Sequence, residues 1–112
     1  MKTNHAERAK ALAQAHNDLA TSLLGDTEPD QESVGLLVLV LTDAALSGDR
    51  LLLAAGRRVV SRLVDYLPAE APWREQLAGR LWTLQQFLAL AAILLDEEGQ
   101  FARSTKRLAT AE

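Results

Sequence analysis

Apolar residues recur along most of this chain at intervals of three and four positions, which is the period of an amphipathic α-helix. Helix breakers interrupt the pattern at Gly25 to Pro29, at Gly48, at Pro68 to Pro72 and at Gly99. The pattern predicts an all-α fold, a bundle of four main helices at about 4–24, 32–47, 49–67 and 73–98 plus a short C-terminal helical segment. We expect residues 1–112 to form a single domain, with residues 100–112 as a peripheral basic tail.

The first predicted helix has a seam of residues spaced alternately four and three apart, as at the a and d positions of packed helices. The seam consists of His5, Ala9, Leu12, His16, Leu19 and Leu23. Thr3 or Asn4 is the expected N-cap, and Gly25 is the expected C-terminal glycine. This face is expected to lie against a neighbouring helix.

Two stretches, Leu36 to Leu41 and Phe87 to Leu95, carry no charge and are apolar nearly all the way round. A helix in a domain of this size normally keeps one face in water, so such a stretch indicates another surface that covers it. The stretch Leu36 to Leu41 also favours a strand, but no second alternating run or hairpin turn offers it a partner. We interpret it as part of the central helix of the bundle.

The fourth predicted helix begins at Pro72, whose missing N–H is harmless in a first turn. Its polar stripe consists of Gln76, Arg80, Thr83 and Gln86. One turn later the stripe continues as Leu90 and Ile93, so this half of the helix has no side for water. We expect another chain to cover it, at an interface made by Trp82, Phe87, Leu90, Ile93 and Leu94.

The third predicted helix follows a tight connection in which Asp49 or Ser47 acts as the N-cap. Its expected apolar face consists of Leu52, Ala55, Val59, Leu63 and Tyr66. Its outward face carries Arg57, Arg58 and Arg62. Because arginine binds phosphate oxygens in bidentate geometry, an alternative function is contact with nucleic-acid phosphates. The residues predicted for that contact are Arg57, Arg58, Arg62, Lys106 and Arg107.

The charges of this chain are segregated into blocks. The net charge is −3, yet residues 11–49 hold seven acids and no base, whereas residues 50–62 hold four arginines and no acid. The more common role of such an arginine face is a solvated surface that pairs with Asp43, Asp49, Asp65 or the acidic loop. Tyr66 is the one aromatic near the arginines in sequence, so no platform for base stacking is expected there. Nucleic acid is therefore the secondary expectation.

Asp43 lies inside the most apolar predicted helix, where a buried carboxylate needs a cationic partner. Arg50 or Arg80 is the expected partner. An ion pair that fixes the helix register is favoured over a catalytic acid, because no second carboxylate or base accompanies Asp43 at helical spacing.

No metal site is expected. The acids of residues 26–32 alternate like calcium ligands, but Gln31 stands where that loop needs glycine and Leu37 where it needs a bidentate glutamate. His5 and His16 lie about three turns apart, so they could share a metal only across an antiparallel pair of first helices. We interpret both as edge residues of the seam.

Composition and motifs exclude several classes of protein. The chain has no cysteine, which excludes thiolate catalysis and disulfides and is typical of the cytoplasm. It shows no apolar signal segment, its apolar runs are shorter than the ~20 residues of a membrane span, and it has neither a nucleophile elbow nor a glycine-rich phosphate loop. We expect a cytoplasmic, non-enzymatic interaction module without cofactor that homo-oligomerises or docks onto another helical protein, with no membrane partner.

Overall fold

The computed structural model describes the backbone of residues 4–110 and the side chains of residues 4–96. It contains four α-helices, α1 (His5–Leu24), α2 (Gln31–Leu46), α3 (Arg50–Asp65) and α4 (Arg74–Thr110), and no strand within the described backbone. The predicted all-α bundle of four main helices is confirmed. Helix α1 packs on α2 and α3, whereas α4 packs mainly along α3 and more lightly on α2.

Short polar side chains begin the first three helices. Asn4, Asp30 and Asp49 each accept a hydrogen bond from a backbone N–H of the first turn, at 2.8, 2.8 and 3.1 Å. Each bond satisfies an N–H group that the first turn of a helix leaves without a backbone partner. The predicted caps at Asn4 and Asp49 are therefore correct.

The core consists of aliphatic side chains from all four helices. Its largest fully buried side chains are Leu37, Leu41, Val60, Leu63, Leu81 and Leu88. Helix α2 contacts each of the other three helices, as expected for a central helix. Gly48, in the turn from α2 to α3, has φ of +67°, a left-handed conformation that glycine adopts without steric cost.

The buried faces of α1 and α3 differ from the predicted ones. On α1, Arg8 and Ala15 are buried, while His5 is exposed and Ala9 and His16 are only half-buried. On α3, the buried residues are Leu52, Leu53, Gly56, Val60 and Leu63. Because Gly56 has no side chain, Leu41 packs directly against it, and the buried face of α3 is centred there rather than on Ala55 and Val59.

Helix α4 continues past its predicted end. The prediction placed the end before Gly99, but the helix runs to Thr110. A single glycine costs a helix only about 1 kcal/mol, which does not by itself stop it. The predicted C-terminal segment, with Lys106 and Arg107, lies where the side chains are outside the described residues.

Candidate interaction surfaces

The first candidate surface is an open groove between α2 and α4, here called the α2–α4 groove. The two helices run side by side, and the C-terminal end of α2 lies beside the middle of α4. The groove is lined by Thr42, Ala45, Leu46, Phe87, Leu90, Ala91, Leu94 and Leu95. None of these side chains is charged, so the groove is an apolar surface.

Several large side chains at this groove are open to water. Leu46 is 84% exposed, Leu90 56% and Leu94 49%, and Ile93, one turn from Leu90 on the outer side of α4, is 55% exposed. A cluster of exposed aliphatic side chains of this kind is unlike the single surface leucines that most proteins carry. The groove is therefore a candidate binding surface.

The structure separates the residues of the predicted interface into two groups. Phe87, Leu90 and Leu94 line the α2–α4 groove, and Ile93 lies beside it. Trp82 is 62% exposed but does not line the groove.

Sequence reasoning missed two exposed leucines of α2, Leu39 and Leu46, of which Leu46 lines the α2–α4 groove. Both are strongly exposed, and their spacing of seven residues places them on one side of α2. From Val34 to Leu41, α2 carries no polar side chain, so its sequence does not distinguish the outward leucines from the buried ones. Although the stretch Leu36 to Leu41 belongs to a central helix, its Leu39 side is not covered by the described residues.

The second candidate surface is a polar depression between α3 and α4, here called the arginine trough. It is lined by Arg57, Arg58, Ser61, Gln85, Gln86 and Ala89. These residues include two positive charges and no carboxylate. Arg62 is exposed one turn beyond Arg58 but does not line the trough.

Three of the four arginines of α3 are not paired as the charge pattern suggested, whereas the fourth, Arg50, lies 3.5 Å from the carboxylate of Asp96. Within the described side chains, Arg57, Arg58 and Arg62 form no ion pair. Two of the expected acids are used elsewhere, since Asp43 and Asp49 both contact Arg8 of α1. The positive face of α3 is therefore left open to an anionic partner.

Asp49 joins α1 to the start of α3. Its carboxylate is hydrogen-bonded to Nδ1 of His5 at 2.7 Å and accepts a bond from Nε of Arg8 at 3.1 Å. Burial raises the pKa of Asp49, but the hydrogen bonds from His5, from the backbone of Leu52 and from Arg8 outweigh it, so the pKa lies below its ordinary value. This cluster holds two helices together and lines neither candidate surface.

Asp43 has a different partner from the predicted ones. Its carboxylate is half-exposed and lies 3.7 Å from Nη1 of Arg8. Arg50 instead donates to the carbonyl oxygen of Leu95 at 2.6 Å, and Arg80 donates to the side chain of Gln31 at 3.0 Å. Two predictions for Asp43 were therefore wrong. Its ion-pair partner is Arg8 of α1 rather than Arg50 or Arg80, and its carboxylate is half-exposed rather than buried.

The acidic loop between α1 and α2 supplies Asp30, the N-cap of α2. Asp30 accepts a hydrogen bond from the backbone N–H of Ser33, which lowers the pKa of Asp30. Within the described residues, no group of three or more histidine or acidic side chains is placed to hold a metal ion. Nε2 of His16 is buried without a hydrogen-bond partner among those residues.

Comparisons with known proteins add no assignment: no family model, no curated protein and no solved structure matches this chain.

By length and composition alone, one described stretch, Arg74–Asp96 of α4, is apolar enough to cross a membrane. The core helix of a soluble protein passes the same test, and here Leu77, Leu81 and Leu88 pack against the other helices. The apolar character of α4 is thus weak support for a membrane span.

Proposed function

We propose that this protein is a non-enzymatic helical interaction module that associates with a second copy of itself through the α2–α4 groove. The observation that carries the proposal is the clustering of Leu46, Leu90, Ile93 and Leu94, all strongly exposed, around one uncharged groove. Burial of such side chains is the main favourable term in protein association.

A second copy fits this surface because the surface offers both a ridge and a groove. Leu90 and Ile93 project from the outer side of α4, directly beside the depression between α4 and α2. In a two-fold dimer the same patch meets itself, so the ridge of each copy can lie in the groove of the other. Because the lining carries no charge, two like surfaces meet without electrostatic repulsion.

The expected strength of this association follows from the exposed area. Burying the exposed part of a half-exposed aliphatic side chain contributes about 1 kcal/mol. Two copies bring eight such side chains, a gain of the same order as the association cost of about 4–15 kcal/mol. We therefore expect a reversible, concentration-dependent dimer.

The test is the mass of the purified protein by sedimentation equilibrium over a wide range of concentration. The wild type is expected to change from monomer to dimer, and Leu90→Glu is expected to remain monomeric because it places a charge within the apolar contact. Leu24→Glu is the matched control, because Leu24 is 69% exposed on α1, which does not pack on α4 in the described part of the chain.

Two results would contradict the proposal. One is a wild type that stays monomeric at every concentration, which would leave the apolar surface to another helical protein. The other is a Leu90→Glu variant that dimerises as the wild type does, which would place the contact elsewhere.

A further inference from the structure

The arginine trough lies on the opposite flank of α4 from the α2–α4 groove. Its lining joins two guanidinium groups, a hydroxyl and two amides, all of which can donate hydrogen bonds. Arg57 and Arg58 have no ion pair with any described side chain. In a chain with net charge −3, this local surplus of positive charge and donors favours an anionic ligand with many acceptor oxygens.

Phosphate groups offer several acceptor oxygens to this set of donors. A guanidinium group binds two phosphate oxygens at once, and the neighbouring glutamine and serine side chains can donate to further oxygens. The trough runs between two helices and is open to solvent, so a strand of linked phosphates can follow it.

Trp82 adds an exposed aromatic ring to this side of α4, although it is distant from the arginines in sequence. Its side chain is 62% exposed, and it lies one helical turn before Gln85 and Gln86 on α4. This register places Trp82 on the side of α4 that faces the trough, although it is about 25 residues from Arg57 and Arg58 in sequence. An exposed aromatic ring beside a positive channel is the combination that binds single-stranded nucleic acids, because unpaired bases stack on the ring while phosphates contact the arginines.

We propose that the arginine trough and Trp82 form a binding surface for single-stranded nucleic acid, with Arg57 and Arg58 on the phosphates and the indole stacked on a base. A duplex fits less well, because its bases are already stacked and cannot reach the indole. Insertion of the start of α3 into a major groove is also disfavoured, since Leu52 and Leu53 of its first turn are buried in the core.

The test is the fluorescence anisotropy of a labelled oligothymidylate of about a dozen nucleotides, titrated with the full chain at several salt concentrations. Affinity is expected to fall with salt, with a slope of log K against log salt near −1.4 for two phosphate contacts. Arg57→Gln and Arg58→Gln should each reduce that slope by about 0.7. Arg80→Gln is the matched control, because Arg80 is an exposed arginine of α4 that donates to Gln31 and lies outside the trough.

The stacking step has its own readout. Trp82→Ala is expected to weaken binding about fivefold to a hundredfold with an unchanged salt slope, because stacking does not release counterions. Trp82→Phe should restore much of the affinity, since a smaller aromatic ring still stacks. Circular dichroism of each variant separates loss of binding from loss of fold.

Several outcomes would overturn this inference. They are an absence of salt-dependent binding, equal binding by a folded protein that lacks both Arg57 and Arg58, and equal binding by Trp82→Ala. Tighter binding to vesicles of phosphatidylserine and phosphatidylcholine than to the oligonucleotide would assign the trough to lipid phosphates instead. The Leu90→Glu variant should still bind the oligonucleotide, so failure of self-association and failure of this inference are distinguishable.

Discussion

At the scale of single residues, two glycines in helices have opposite surroundings. Gly56 of α3 is buried against Leu41, so a methyl group added there would clash with the Leu41 side chain, which is itself fully buried. Gly79 of α4 is exposed, with no neighbouring atom near the place of a Cβ. The same substitution therefore tests packing at one position and helix propensity at the other.

We expect Gly56→Ala to lower the free energy of unfolding by about 1–2 kcal/mol, because the clash outweighs the gain in helix propensity. Gly79→Ala should raise it by up to about 1 kcal/mol, since alanine restricts the unfolded chain and favours the helix. Urea denaturation followed by circular dichroism measures both changes. A stabilising Gly56→Ala would show that Leu41 has room to move and that α2 and α3 are loosely packed.

Asp49 leads to a prediction about pH. Its pKa in the folded protein lies below the ordinary value of 3.8, so the folded state favours the ionised carboxylate more than the unfolded state does. The resulting stabilisation is present above the unfolded pKa and is lost as the pH falls through the folded pKa. The stability advantage of the wild type over Asp49→Asn should therefore be constant near neutral pH and shrink below about pH 4.

The measurement for Asp49 is the difference in unfolding free energy between the wild type and Asp49→Asn at a series of pH values. A difference that stays constant into the strongly acidic range would mean that the hydrogen bonds of His5 and Arg8 do not favour the charged carboxylate. Because asparagine can still cap α3, the comparison isolates the charge of residue 49 from its role as an N-cap.

At the scale of the helices, local signals predicted the elements well. The caps at Asn4 and Asp49 and the break at Gly25 depend on neighbours in sequence, and the first three helices begin and end within about two residues of the predicted positions. The buried faces of α1 and α3 depend instead on contacts distant in sequence, namely Arg8 with Asp49 and Gly56 with Leu41. Periodicity alone contains no information on those contacts.

The two candidate surfaces show the same division between local and distant information. The loss of the polar stripe on α4 was readable from sequence and pointed to Leu90 and Ile93, which are exposed. The contribution of Leu46 to the groove depends on how α2 lies beside α4, and the meeting of Arg57 and Arg58 with Gln85 and Gln86 in the trough depends on how α3 lies beside α4. Both arrangements arise only from the packing of the whole bundle.

At the scale of the whole molecule, stability and self-association are linked if the proposed dimer forms. A dimer that binds only the folded state raises the thermal midpoint as protein concentration rises. Leu88 and Leu90 are neighbours on α4 that separate the two effects, because Leu88 is fully buried in the core whereas Leu90 is 56% exposed at the groove.

We expect Leu88→Ala to lower the free energy of unfolding by about 2–5 kcal/mol, as truncation of a fully buried leucine does, while the midpoint still rises with concentration. Leu90→Glu should instead remove the dependence on concentration and leave the midpoint close to that of the dilute wild type. Calorimetry of the three proteins over a wide range of concentration measures both effects. A wild-type midpoint that is independent of concentration would contradict the dimer, and a large fall in the midpoint of dilute Leu90→Glu would place Leu90 in the core of the monomer.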